Sequence, residues 1–206
     1  MKNSLLLLLV LSSLWCKAQT DSVPYSRELD FKEGLYLTFS QFKQNRPIPL
    51  NRIVSDYPRN QLDFLNVVTE KKYVTFQDNA GIEQKVETAS LWGYCRNHSI
   101  CINFNHEFNK LNAVGVLCYF TSTVTCSTGM PDPMGMNSTY EELRQFVYDS
   151  RTNKVYDFNV KNMETLIHDD TEMYDKFMAM KKRDKPDVIF VLLRKYNEKH
   201  PLFVFR

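Results

Sequence analysis

From Lys72 onward, apolar residues recur at every second position, and short runs of turn-forming residues interrupt them. A period of two puts successive side chains on opposite faces of a strand, so this stretch commits the chain to a sheet with alternating faces. Residues 73–77 and 82–87 read as one hairpin over Asp78, Asn79, Ala80 and Gly81. Residues 91–96 and 99–104 follow, joined at Asn97-His98, and then 114–124. Residues 145–149 and 154–158 close a last hairpin over 150–153. Hairpins in series give an antiparallel meander.

The period changes at both ends. Residues 34–37 read as a short strand, and Thr38 with Gln41 forms a capping box for a helix over 39–44. In the last third, Asn159 is placed to cap a helix over 160–167, and Asp169 a second helix with Glu172 completing the box. Met173, Phe177 and Met180 give that second helix its buried stripe. A third helix is expected from Pro186 to Tyr196, with a strand as the alternative because of its β-branched residues. Residues 202–205 read as a terminal strand. The expected fold class is α+β: an antiparallel β-meander sheet with short helices from the C-terminal third packed against it.

The N-terminus carries Lys2, an apolar run over residues 5–11, and Ala18 before Gln19. That is the anatomy of a cleavable signal peptide over residues 1–18. Residues 19–30 are expected to be a flexible tail and 31–206 one strand-rich domain. Cys16 offers lipidation as an alternative, against which Leu14 and Trp15 stand where small residues are wanted. The run is shorter than the roughly 20 residues a membrane-spanning helix needs, so no transmembrane span is expected. Cleavage removes Lys2 and Lys17, which leaves 24 basic residues of 26 against 24 acidic ones. A neutral chain lacks the basic excess that nucleic acid demands, so that partner class is excluded.

The segments Leu91-Trp92-Gly93-Tyr94-Cys95, Ile100-Cys101-Ile102-Asn103, Asp170-Thr171-Glu172-Met173-Tyr174 and 196–202 resemble an uncharacterised family of exported proteins from bacteroidete-type Gram-negative bacteria. The likeness runs from about Asp30 to the end, with Arg96 standing where the family carries an acid. It implies a periplasmic or outer-surface location and carries no activity, cofactor or catalytic residue.

The chemistry-bearing residues are few. If Asn97-His98 is a two-residue turn, Cys95 faces Ile100 while Cys101 points to the other face, so these two are not expected to bond. Cys118 alternates with apolar neighbours as a buried thiol does; a bond from Cys101 or Cys118 to Cys126 stays open. His98, His106, His168 and His200 are the chain's histidines, and none sits in a hydrolase, metalloprotease or phosphate-binding motif. A cleft where one of them meets a carboxylate would favour a periplasmic hydrolase. His168, Asp169, Asp170 and Glu172 are a possible metal cluster, though capping already explains Asp169 and Glu172. Trp92 and Tyr94 are expected to face away from Leu91 and Ile102, under the C-terminal helices.

Residues 126–137 hold two prolines and two glycines and are expected to be a surface loop. Met130, Met134 and Met136, with Cys126, make it a candidate Cu(I) site, since soft sulfur selects that ion. The functional expectation is an exported, non-enzymatic protein that binds another envelope component and needs no cofactor. A periplasmic hydrolase and a methionine-based Cu(I) binder are the alternatives.

Overall fold

The computed structural model describes residues 22–131 and 137–205. The expected signal peptide with Cys16, and Met134 and Met136, lie outside the described residues. In chain order the elements are β1 (Ser22–Pro24), β2 (Gly34–Tyr36), α1 (Phe39–Lys43), β3 (Ile48–Pro49), β4 (Ile53–Val54), α2 (Phe64–Thr69), β5 (Tyr73–Gln77) and β6 (Glu83–Glu87). There follow β7 (Gly93–Arg96), β8 (Ser99–Phe104), β9 (Glu107–Ala113), β10 (Leu117–Pro131), β11 (Asn137–Asp149) and β12 (Lys154–Asp157). Helices α3 (Val160–Leu166), α4 (Thr171–Met178) and α5 (Lys185–Lys199) precede the terminal strand β13 (Phe203–Phe205). The protein is α+β and its sheets are antiparallel.

Strands β7 to β12 form the expected meander, extended on one side by β2 and β3, in the order β12-β11-β10-β9-β8-β7-β2-β3. The hairpin β5–β6 pairs instead with β4 in a separate three-stranded sheet. Asn97 and His98 both take positive φ, 47° and 58°, which is the twist a two-residue hairpin turn requires. Cys95 accordingly pairs with Ile100. The same dipeptide, Asn105-His106, makes a second such turn into β9.

The large sheet buries both faces. On one, Cys95, Ile100, Ile102, Cys118, Phe120, Phe146 and Tyr148 meet Phe42 of α1 together with Leu202 and Val204. On the other, Leu35, Tyr94 and Cys101 meet Phe64, Leu65 and Val68 of α2 and Val74 of β5. Leu117 and Val147, also on that second face, meet Met163, Leu166, Phe177, Ile189, Leu193 and Tyr196 of the C-terminal helices.

Several expectations are corrected. The ladder between β10 and β11 runs from Leu117↔Asp149 to Ser127↔Thr139, then shifts and resumes at Pro131↔Asn137, so residues 126–131 are strand and not loop. Gly129, at φ 70°, takes the irregularity, and Pro131 falls at the strand's end, where a missing N–H is tolerated. Ser22–Pro24, expected within the flexible tail, pairs with Phe203–Phe205. Helix α4 is capped one residue later than expected: Asp170, not Asp169, accepts from the Met173 N–H. Helix α5 is a helix throughout, four residues longer in total than the expected 186–196 span, from Lys185 to Lys199.

Trp92 is not under the C-terminal helices. Its ring stacks on Phe42 of α1, centroids 4.5 Å apart, and also meets Phe39 and Tyr148. Tyr94 does face away from Ile102, toward α2. The alternation flips at Gly93, where the backbone approaches β8 so closely that a Cβ would stand 2.1 Å from the Cys101 carbonyl oxygen. Arg96, at the end of β7, pairs with Glu33 and donates to the Gln61 carbonyl at 3.1 Å.

Candidate functional site

Helix α5 carries two apolar stripes. Ile189, Leu193 and Tyr196 are spaced by four and three residues and sink into the core below. Val188, Val191 and Leu192, at i, i+3 and i+4, form a second stripe on an adjacent face that continues into Lys195 and Lys199. Helix α4 presents Met173 and Phe177, one turn apart, with Met180 just beyond its end. Between the two helices lies an open groove of about 650 Å³ with an apolar floor. Val191, half of its surface open at 50 %, stands in the groove wall. Beneath, the buried Lys185 ammonium is 2.7 Å from Glu164 of α3 and 4.8 Å from the Phe177 ring centroid, which locks the start of α5 in place.

The rim is charged. Glu172 and Glu198 alternate with Lys176, Lys195 and Lys199. Lys176 pairs with Glu172 at 2.7 Å, and Lys199 reaches Asp170 at 2.8 Å and Glu172 at 3.2 Å. Lys195 makes no ion pair among the described residues.

Behind the rim, carboxylates tie the helix layer together. Asp170, only 3 % exposed, caps α4, accepts from Lys199 and lies 2.7 Å from His200 Nε2. The Lys199 ammonium, and then His200, hold its carboxyl well below the usual carboxylate range. Asp169 accepts the Tyr196 hydroxyl at 2.8 Å and pairs with Arg151 at 2.7 Å. Burial opposes ionisation of Asp169, but the Tyr196 hydrogen bond and the Arg151 charge prevail and lower its pKa. Arg151 also grips Asp149 and the Leu166 carbonyl, joining the β11–β12 turn to α3.

The expected cluster of His168, Asp169, Asp170 and Glu172 is thereby taken up by cations, Asp169 by Arg151 and Asp170 and Glu172 by Lys199, while His168 meets the ring of Tyr174. Among the described residues no group of three His, Cys, Asp or Glu is arranged to hold a metal ion. His200 is the histidine that meets a carboxylate closely, yet that carboxylate is engaged by Lys199 and the α4 cap. Among the described residues no hydroxyl or thiol hydrogen-bonds to His200. His98 lies 3.7 Å from Asp30 with both side chains exposed, and His106 occupies the β8–β9 turn.

Cys95, Cys101, Cys118 and Cys126 are all free thiols. Burial pushes Cys95 and Cys118 up to about 12 and raises Cys101 as well. Cys126 is only partly buried, on β10, and its Sγ accepts from Arg144 of β11 at 3.2 Å. Of its three methionine companions in the expected Cu(I) set, Met130 is on the same strand and Met134 and Met136 lie outside the described residues. The groove residues Val188, Val191, Leu192 and Lys195 were not singled out in the sequence; the 188, 191, 192, 195 spacing is the signal that marks them.

Comparison of the chain with protein-family models, curated proteins and solved structures returns no match in any of the three.

Proposed function

We propose that the protein is exported and acts by binding, with the groove between α4 and α5 holding an envelope amphiphile that has one apolar chain and one anionic headgroup. The observation that carries this reading is the second apolar stripe of α5, which ends at a lysine without an ion pair among the described residues. Val188 and Leu192 lean on the core beneath, while Val191 leaves half of its surface open in the same groove as Met173 and Met180. A volume of about 650 Å³ lies within the ordinary range for small-molecule sites. The apolar chain would lie on Met173, Met180 and Val191, and the headgroup would meet Lys195.

The test uses the fluorescence of anilinonaphthalene sulfonate, itself an apolar body with an anionic group. Binding to the protein and displacement by dodecanoate are expected, with a cationic amphiphile of equal chain length displacing it much less. Lys195→Glu is expected to weaken dodecanoate several-fold, the scale of one exposed charge contact. Val191→Asp is expected to abolish the fluorescence gain. Equal displacement by the cationic and anionic amphiphiles would remove the headgroup assignment, and no gain at all would remove the site.

A further inference from the structure

Beyond Phe120 the strand β10 has no further register partner on β9, although Ser122 is still buried and Val124 still packs on the core. Its partner β9 pairs with Tyr119 and Phe120, and β12 pairs with β11 only from Phe146 to Asp149. Residues 121–131 and 137–145 therefore form a two-stranded arm, paired with each other and with no third strand among the described residues. The two edges of the arm differ. On β11, Glu141 and the Glu142–Arg144 ion pair put charge on the strand, a device that keeps other strands away, and Arg144 also reaches across to Cys126 Sγ at 3.2 Å. On β10 no charged residue occurs from Leu117 to Pro131, and small hydroxyl residues, Thr above all, recur along its outer half.

The register says which backbone groups that edge offers. Ser150 N–H bonds the Val116 carbonyl, so even-numbered residues of β10 exchange bonds with β11, and odd-numbered ones point the other way. Thr123, Thr125 and Ser127, all exposed, thus present N–H and C=O groups outward. Cys126 lies between them, and it is the one thiol of the described four that is not buried.

We infer that the β10 edge docks a second copy of this chain, strand to strand and antiparallel, with the two-fold axis at Cys126. That axis sets Thr125 against Ser127 of the second copy and the reverse, giving four backbone hydrogen bonds. It brings uncharged edge against uncharged edge, a closed self-complementary contact. Cys126 then faces its counterpart in a non-hydrogen-bonded pair, where Cα atoms stand about 4.5 Å apart, within the span of a disulfide. A small disulfide oxidant would lock the pair. One Cys126 thiolate attacks the oxidant and releases one thiol; the second Cys126 thiolate attacks the mixed disulfide and releases the other. Two protons and two electrons pass from the cysteines to the oxidant.

This inference does not depend on the groove. Sedimentation of the purified protein under reducing conditions, at tens of micromolar, is expected to show a dimer. Cys126→Ser should still dimerise, because the backbone bonds remain. Thr125→Lys should weaken the dimer at least about tenfold by adding charge to the edge, while leaving the fold intact, since the bonds of residue 125 point away from β11. Glutathione disulfide should yield a Cys126–Cys126 link on peptide mapping. Thr125→Cys placed in the Cys126→Ser chain should cross-link at least about tenfold more slowly, because residue 125 faces residue 127. A monomer under reducing conditions, a dimer that Thr125→Lys leaves unchanged, or equal cross-linking at 125 and 126 would each overturn the inference.

Discussion

Asp170 joins the start of α4 to the end of α5 through a single carboxylate. Its two oxygens serve the α4 cap, Lys199 and His200 at once. Because the folded state depresses its pKa, its contribution is full above the unfolded carboxylate range, about 3.9, and is lost as pH falls through and below it. Asp170→Asn keeps a capping oxygen and loses the ion pairs. The melting temperature of the wild type is therefore expected to exceed that of Asp170→Asn near pH 6, with the gap closing progressively toward pH 2. A gap that stays constant with pH would show that the charge contributes nothing. The thiols divide just as sharply. Cys95 and Cys118, at about 12, and the buried Cys101 should resist a thiol reagent at pH 8, while Cys126 reacts. Denaturant should release all four, and a second fast thiol in the native protein would contradict the register of β7 and β8.

At the scale of elements, helix α1 shows how little chain can fix a core. Thr38 caps it through the Gln41 N–H, and the Gln41 side chain reaches back to Leu37 N–H at 2.8 Å. Phe42, fully buried, then stacks between Phe31 and Trp92. Phe42→Ala should cost about 3–5 kcal/mol, measured by guanidinium unfolding, and should shift the emission of Trp92 to the red. The capping box, the Asn97-His98 turn and the register of Cys95 with Ile100 were legible in the sequence because each depends on residues a few positions apart. Strand β9 was not, although Asn105-His106 repeats the turn dipeptide. Its apolar residues Phe108 and Leu111 are three apart, and the ladder slips between Tyr119 and Phe120 to accommodate them. The strand at 126–131 was hidden for a related reason: Gly129 and Pro131 look like breakers, and the long pairing with β11 overrides them. The apolar stripe of α5 that lines the groove was present in the spacing but not singled out, since only the tertiary structure shows that Val191 is left half open while Val188 and Leu192 lean on the core.

At the scale of the whole molecule, the chain's ends close the face opposite the C-terminal helices. After α5 the chain turns at His200 and Pro201, delivers Leu202 and Val204 into the cluster around Phe42 and Phe120, and pairs β13 with β1. Tyr25 N–H bonds the Leu202 carbonyl at 2.7 Å, extending the same closure. Only one of two partly separate layers thus depends on that short C-terminal segment: the helices reach the sheet through Leu117 and Val147, while Leu202 and Val204 reach it from the other side. Removing residues 201–206 should uncover the first cluster while leaving the helix layer its own contacts. Burial of Leu202 and Val204 is worth about 1.5–3 kcal/mol each, a large share of the roughly 5–15 kcal/mol that holds a domain together. Trp92 reports on the uncovered cluster and far-ultraviolet circular dichroism on the helices. In the intact protein the two signals should change together with denaturant, as a cooperative fold requires. In the truncated chain the Trp92 transition should move to lower denaturant ahead of the helical one. Coincident transitions at the wild-type midpoint would mean that β1 and β13 decorate the fold without holding it.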